Sequence, residues 1–350
     1  MTWRDGVHLT GTPIWCDARR RRDVCFVSSI NASATGGNAS TAAGRTGHGQ
    51  LIGTSITLAL LGARDQGHLA VPLRQRFTLG TVRLELIPSG RGFGAAALHA
   101  DVTGKTVLYA GAVRTTAGGV GDPAELRPCD AVVVAAPYGE PDDRFPPLRA
   151  EIDAALDWTR ARLAAGVRPV LLVDSLLDGL EVASRLAADG VAVAGGRALR
   201  DAAHRIADLV PSPQVIDGAI AIGSTSTQRA VAPDPGSGVP VIAAPGREPR
   251  AIVWLDAGRA GLARNVGDRP VATALVSARA RTGFADHDAG FVWAAAADRA
   301  QLLGWIEATG ARDVYVTGAC AEAIVAALGD RARIIGPPQQ MSLFPHEAVS

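Results

Sequence analysis

The pattern of apolar residues changes near Pro146, and this change restricts the chain to a mixed α/β fold with more than one part. Before this point, short apolar runs alternate with glycine-rich turns, which is typical of strands; the runs cover residues 24–28, 82–88, 106–113 and 131–136. After it, residues 148–165 have apolar side chains at helical spacing, and residues 168–174 (RPVLLVD) predict a buried strand. Strands that alternate with helices in this way predict a parallel sheet.

The alternation continues towards the C-terminus. We expect a helix at 179–188 and a strand at 191–194, then a loop or boundary at 231–246, which is rich in proline, glycine and aspartate. A helix at 297–308, a strand at 313–317 and a helix at 320–328 follow. At 350 residues the chain is long enough to form two hydrophobic cores.

The charges of the chain almost cancel, since 35 lysines and arginines face 34 aspartates and glutamates. A broad basic surface for nucleic acid is therefore excluded, and any contact with nucleic acid must be local. The sequence contains no run of about eighteen apolar residues that would predict a membrane span. The N-terminal segment lacks the apolar centre of a signal peptide. We therefore expect a cytoplasmic protein. The four cysteines form no CxxC pair, which argues against a disulfide framework or a zinc knuckle.

Five segments, taken in order, resemble a known family. They read IWCDARRRRDVCFVSS, LIGTSITLALLGAR, LELIPSGRGFGAAALHADVTGKTVLYAGAV, VVVAAPYGEPDDRFP and DRAQLLGWIEATGARDVYVTG. Their order and spacing resemble the metallo-β-lactamase fold with a β-CASP cap, and within it the bacterial ligase-associated DNA damage response exonucleases, also described as mRNA 3′-end processing factor-like exonucleases.

The resemblance covers nearly the whole chain and implies an αββα sandwich with an inserted α/β cap domain. Residues 1–145 would form the first part of the metallo-β-lactamase-like domain, and residues 146–270 the cap. Residues 271–336 would return to the first domain, and residues 337–350 would form an extended tail.

Active members of this family hold two metal ions, usually zinc, and cut phosphodiester bonds with a metal-activated hydroxide. The resemblance places their ligand positions on residues that are poor metal ligands: Ser29, Asn31, Ser33, Ala34, Arg91, Ala112, Ala135, Ala296 and Gly318. At position 91 the fixed charge of arginine would repel a cation. Asp17, which supports the site in the family, is retained. The sequence therefore predicts a catalytically inactive homologue that holds no zinc.

Two alternatives keep a role for the former active site. In the first, a nuclease or hydrolase uses a relocated site, with Asp17, Asp298, His287 and Arg91 as the candidate residues. His287 belongs to an Asp-His-Asp cluster at 286–288, for which a solvated loop is the simpler interpretation. In the second, the cleft binds nucleic acid without cutting it, and Arg91 contacts a phosphate.

The only basic run could assist such binding, and it consists of Arg19, Arg20, Arg21 and Arg22. Its simplest interpretation is a solvated hairpin turn between two strands.

The C-terminal tail contains a short motif that predicts a partner. Gln340, Met341, Ser342, Leu343 and Phe344 match the QL[SD]LF pattern by which bacterial repair and replication proteins bind the β sliding clamp. Prolines on both sides keep such a segment out of a helix. Together with the resemblance, the motif predicts a non-catalytic subunit in DNA repair that binds the clamp and a nuclease, polymerase, ligase or helicase. The alternative is that Leu343 and Phe344 pack on the core.

Overall fold

Three sheets organise the chain in the computed structural model, which describes residues 1–31, 47–64, 67–210, 242, 250–258 and 270–337. The first sheet has the order β1-β2-β3-β4-β5-β6. Its strands are β1 (Thr2–Trp3), β2 (Val7–His8), β3 (Ile14–Cys16), β4 (Val24–Phe26), β5 (Gln50–Gly53) and β6 (Leu69–Ala70). β1 to β3 pair antiparallel, and β3 to β6 pair parallel.

The second sheet has the order β18-β17-β11-β10-β9-β8-β7. Its strands are β7 (Arg76–Leu79), β8 (Val82–Pro88), β9 (Ala96–Val102), β10 (Lys105–Gly111), β11 (Ala131–Ala135), β17 (Asp313–Thr317) and β18 (Ala332–Ile334). The first four form an antiparallel meander, and β10, β11, β17 and β18 are parallel. As a result β8, β10, β11 and β17 all end at the same edge.

These two sheets pack face to face, and helices cover their outer faces. Leu98 and Tyr109 point into the core between the sheets, where they meet Phe26 of the first sheet. The neighbouring residues in the second sheet point outwards, because side chains alternate along a strand. One of them, Leu108, packs with α5 (Arg299–Thr309) and α6 (Ala321–Leu328). On the outer face of the first sheet, Leu51 packs against α1 (Ser55–Leu60). We call this four-layer arrangement the sandwich.

The third sheet lies between β11 and β17 in the sequence, and we call it, with its helices, the inserted unit. It is parallel throughout, in the order β13-β14-β12-β15-β16. Its elements are α2 (Leu148–Ala164), β12 (Arg168–Val173), α3 (Leu176–Ala188), β13 (Val193–Gly195), α4 (Arg197–Ile206), β14 (Ala251–Leu255), β15 (Val271–Val276) and β16 (Ala289–Phe291). A mixed α/β fold is thereby confirmed.

The structure corrects the boundary predicted at residue 271. β15 pairs with the central strand β12 along its whole length, and β16 pairs with β15, so both strands belong to the inserted unit. The sequence does not reveal this pairing, because parallel strands that pair are distant in the chain. The composition of the segment at 231–246, in contrast, is typical of a domain boundary. Apart from Ile242, that segment lies outside the described residues.

Helix α3 also differs from its prediction, since it begins three residues earlier than expected. Ser175 caps it and accepts a hydrogen bond from the N–H of Asp178.

The four cysteines are free thiols. In the part of the chain that the structure describes, no helix is long and apolar enough to cross a membrane.

Helix α3 fixes the inserted unit to the sandwich through buried charges. Glu181 and Arg114, which follows β10, form two hydrogen bonds of 2.7 and 2.9 Å, and their side chains are only 1% and 3% exposed. Arg185, one turn further along α3, donates to the carbonyl oxygens of Gly118 and Gly119 at 2.8 and 2.6 Å. One face of α3 thus holds the loop between β10 and β11.

We expect Glu181→Gln to lower the free energy of unfolding by about 3–5 kcal/mol, because Arg114 would be left as a buried charge without its counter-ion. The control is Asp153→Asn, which breaks an exposed ion pair with Arg149 on α2 and should cost about 0.2–1 kcal/mol. Urea unfolding followed by circular dichroism measures both. Equal losses in the two variants would contradict the role assigned to Glu181.

Candidate functional site

A cavity of about 670 Å³ opens where the strands of the sandwich end. Residues from many separate segments line it, and they include most of the positions that the family resemblance marks as former ligand positions. Those that line it are Ser29, Asn31, Arg91, Ala112, Ala135, Ala296 and Gly318. Ser33 and Ala34 lie outside the described residues. Positions up to 289 residues apart in the sequence are therefore brought together.

The topology explains this convergence. Arg91, Ala112 and Gly318 follow β8, β10 and β17, which run in the same direction and end at one edge of the second sheet. Ser29 and Asn31 follow β4 of the opposite sheet. Side chains beyond the carboxyl ends of neighbouring strands commonly form a binding site.

The residues at these positions do not fit a zinc ion. Zinc in proteins takes histidine, cysteine and carboxylate ligands, whereas these positions hold serine, asparagine, alanine, glycine and arginine. Among the residues that the structure describes, no group of three or more histidine, cysteine, aspartate or glutamate side chains could hold a metal ion.

A hydrogen-bond network around Asp17 forms one wall of the cavity. Its carboxylate accepts from the N–H and the hydroxyl of Ser28, at 2.8 and 2.7 Å, and from the Tyr109 hydroxyl at 2.8 Å. Burial raises the pKa of Tyr109 well above its usual value, and the negative charge of Asp17 raises it further. Tyr109 therefore stays protonated and donates. Gly111 lies against this network at φ +60°, where an added Cβ would be 3.1 Å from the Ser28 hydroxyl oxygen.

Arg91 lines the cavity, but its guanidinium is bound to the inserted unit. Its Nη1 donates to Asp178 of α3 at 3.0 Å, and the two side chains are 11% and 6% exposed. The backbone before Arg91 requires a glycine at position 90, where φ is +76° and an added Cβ would lie 2.0 Å from the carbonyl oxygen of Arg114. A phosphate would have to compete with Asp178 for Arg91.

The arginine run does not form a hairpin turn. β3 and β4, which it connects, are parallel, so the sequence prediction of a hairpin is wrong. The four side chains also have different surroundings: Arg19 lines the cavity, Arg20 pairs with Asp5 at 2.9 Å, Arg21 is exposed, and Arg22 stacks on Trp15. Arg19, Arg20 and Arg21 are exposed, whereas Arg22 is half-buried.

The structure separates the residues suggested for a relocated active site. Asp17 and Arg91 line the cavity, whereas Asp298 and His287 do not. Asp298 is the N-cap of α5 and forms a capping box with Gln301. The signal was available in the sequence as an aspartate three residues before a glutamine at the start of a helix. Within the cluster at 286–288, Asp288 accepts from the N–H of Thr273 at 2.7 Å, so it too has a structural role.

Several residues that line the cavity carry no motif of their own, and the sequence analysis missed them. They are Ser28, Ser89, Tyr109, Tyr138 and Thr317. Each lies within a few residues of a position that the family resemblance marks, and this proximity is the signal that could have identified them.

The chain matches no family model and no curated protein. Its fold is similar to that of a solved structure, a protein of unknown function from Enterococcus faecalis V583. The two align with a TM-score of 0.50 at 11% sequence identity, over 90% of this chain and 79% of that one. At this identity the likeness concerns the fold alone, and the class that fold and cavity define is a mixed α/β protein.

We expect Arg91 and Asp178 to be energetically coupled, because their ion pair is nearly buried and joins the sandwich to the inserted unit. A double-mutant cycle with Arg91→Met and Asp178→Asn should give a coupling energy of about 0.5–3 kcal/mol in the free energy of unfolding. The same cycle on the exposed pair Arg20–Asp5 should give at most about 1 kcal/mol. Additive effects of Arg91→Met and Asp178→Asn would refute the coupling.

Proposed function

We propose that this protein is a catalytically inactive homologue of the metallo-β-lactamase/β-CASP nucleases that acts as a non-catalytic adaptor in DNA repair or replication. Its tail would bind the β sliding clamp, and its folded part a nuclease, polymerase, ligase or helicase. The observation that carries the proposal is the convergence of seven former ligand positions on one cavity, where none holds a side chain suited to zinc.

The layer order supports this reading. Two sheets pack face to face with helices outside them, as expected for an αββα sandwich. A parallel sheet with its own helices is inserted between β11 and β17, at the point where the family carries its β-CASP cap. A chance resemblance of short segments would not require the marked positions to meet in space.

The electrostatics favour an adaptor over a nucleic-acid-binding module. Contact with a phosphate backbone requires positive charge that is free to face it. Arg91 instead pairs with Asp178, and the net charge of the chain is only +1. The motif Gln340–Phe344 lies outside the described residues, so the clamp contact rests on the sequence pattern.

We expect the purified protein to contain far less than one zinc or manganese ion per chain and to leave single- and double-stranded DNA and RNA intact. Elemental analysis and a gel assay with added Zn²⁺ or Mn²⁺ measure this, with an active nuclease as the positive control. Stoichiometric metal together with cleavage would overturn the proposal. Cleavage that Asp17→Asn abolishes would identify a relocated active site, whereas cleavage unaffected by this variant would indicate a contaminant.

The clamp contact predicts that the full chain binds the purified β sliding clamp through its tail. Replacing Leu343 and Phe344 together by alanine should weaken binding about tenfold or more, since apolar anchors dominate such small interfaces. The matched control is the double variant His346→Ala and Glu347→Ala, in the same tail but outside the motif. Surface plasmon resonance with immobilised clamp gives the affinities. Equal affinity of all three proteins would exclude the predicted motif.

A further inference from the structure

Four uncharged polar groups line the cavity and have no side-chain hydrogen bond to another described residue. They are the hydroxyls of Ser89, Tyr138 and Thr317 and the Nδ2 of Asn31. Ser89 is only 2% exposed. Among the four groups, only the Nδ2 of Asn31 is a buried atom without a partner in the described part of the chain, which costs about 1–3 kcal/mol. The three hydroxyls line the open cavity, where a polar molecule can reach them.

The four groups come from four separate segments. Asn31 follows β4, Ser89 follows β8, Tyr138 follows β11, and Thr317 ends β17. A ligand in the cavity would therefore be held by residues from both sheets of the sandwich, as in a site whose polar groups are few and fixed by rigid elements.

The charges at the cavity balance, which selects against charged ligands. The charged lining residues are Asp17, Arg19, Arg91 and Glu322, two acidic and two basic. Asp17 already accepts three hydrogen bonds, and Arg91 is paired with Asp178. The two carboxylates would repel an anion, and the two arginines would repel a cation. An uncharged molecule therefore binds with the lowest electrostatic cost.

The remaining wall is apolar and spacious. Ala112, Ala135, Ala295 and Ala296 leave room where larger side chains would fill the space. The ring of Tyr138 is fixed edge-to-face against Phe145, with centroids 4.9 Å apart, and offers a rigid aromatic surface. A volume of about 670 Å³ lies within the range of about 300–1,000 Å³ that is usual for small-molecule sites.

We propose that this cavity binds an uncharged polyhydroxy molecule of mono- to disaccharide size, with Ser89, Tyr138, Thr317 and Asn31 as its hydrogen-bonding residues. Sugar hydroxyls act as both donors and acceptors, which matches three hydroxyls and one amide. The carbon-bound hydrogens of a sugar ring can pack on the Tyr138 ring and the alanines. Burial raises the pKa of Tyr138 to about 12, so its hydroxyl remains a donor. This site goes beyond the adaptor function and does not depend on it.

The test compares neutral sugars with their phosphorylated counterparts on the full-length protein. The probes are ribose, glucose and maltose, with ribose 5-phosphate and glucose 6-phosphate as the charged pairs. Saturation-transfer NMR detects binding, and titration calorimetry gives the affinity. We expect at least one neutral probe to bind, and its phosphorylated form to bind at least about tenfold more weakly.

Variants locate the binding site. Ser89→Ala and Tyr138→Phe should each weaken binding about two- to tenfold, the value of one hydrogen bond. Ala112→Leu, which fills the cavity, should abolish binding. The matched control Tyr315→Phe lies on β17 outside the cavity and should change nothing, and thermal unfolding verifies that each variant is folded.

Three results would overturn the proposal: no binding of any neutral probe, tighter binding of a phosphorylated probe, or an unchanged affinity in Ala112→Leu. Clamp binding of Ser89→Ala serves as a separate readout and should equal that of the unmodified protein. A failure of clamp docking is thereby distinguished from a failure of the sugar site.

Discussion

The carboxylate of Glu181 is the most extensively hydrogen-bonded of the contacts that join the two parts of the molecule. It accepts two hydrogen bonds from Arg114, one from the N–H of Val120 at 2.6 Å and one from the Trp293 indole at 3.1 Å. Burial by itself raises the pKa of this carboxyl, but the charge and hydrogen bonds of Arg114 outweigh it and hold the pKa below its usual value. Glu181 is therefore ionised, and the position of α3 depends on keeping that charge satisfied.

The placement of α3 in turn positions Arg91, one of the residues that line the cavity. With Glu181 held by Arg114, Asp178 lies one turn earlier on the same face of the helix and meets Arg91. The Asp17–Ser28–Tyr109 network joins residues of the two sheets, and the Arg91–Asp178 pair joins the sandwich to the inserted unit. Hydrogen bonds thus connect the segments that line the cavity.

Local patterns in the sequence predicted local structure well and distant partners poorly. Residues 82–88 and 313–317 form strands within the predicted bounds. Such strands can be recognised because their apolar pattern is visible within a short stretch of the chain. The boundary at 271 and the hairpin at 19–22 were wrong, because both depend on which strand pairs with which. Arg91 lines the cavity, and its partner Asp178 lies 87 residues away on a helix whose register no local pattern specifies.

The open space in the cavity requires a physical reason of its own. Replacing Ala112, Ala135 or Ala296 by leucine would bury additional apolar surface, which stabilises a fold by about 25 cal/mol per Å². A cleft without any ligand would therefore gain stability by filling with larger side chains. Instead small residues surround the hydroxyls of Ser89, Tyr138 and Thr317, and the buried Nδ2 of Asn31 lacks a partner among the described residues. The proposed ligand would cover the apolar surface of the alanines and would supply the hydrogen bond that Asn31 lacks.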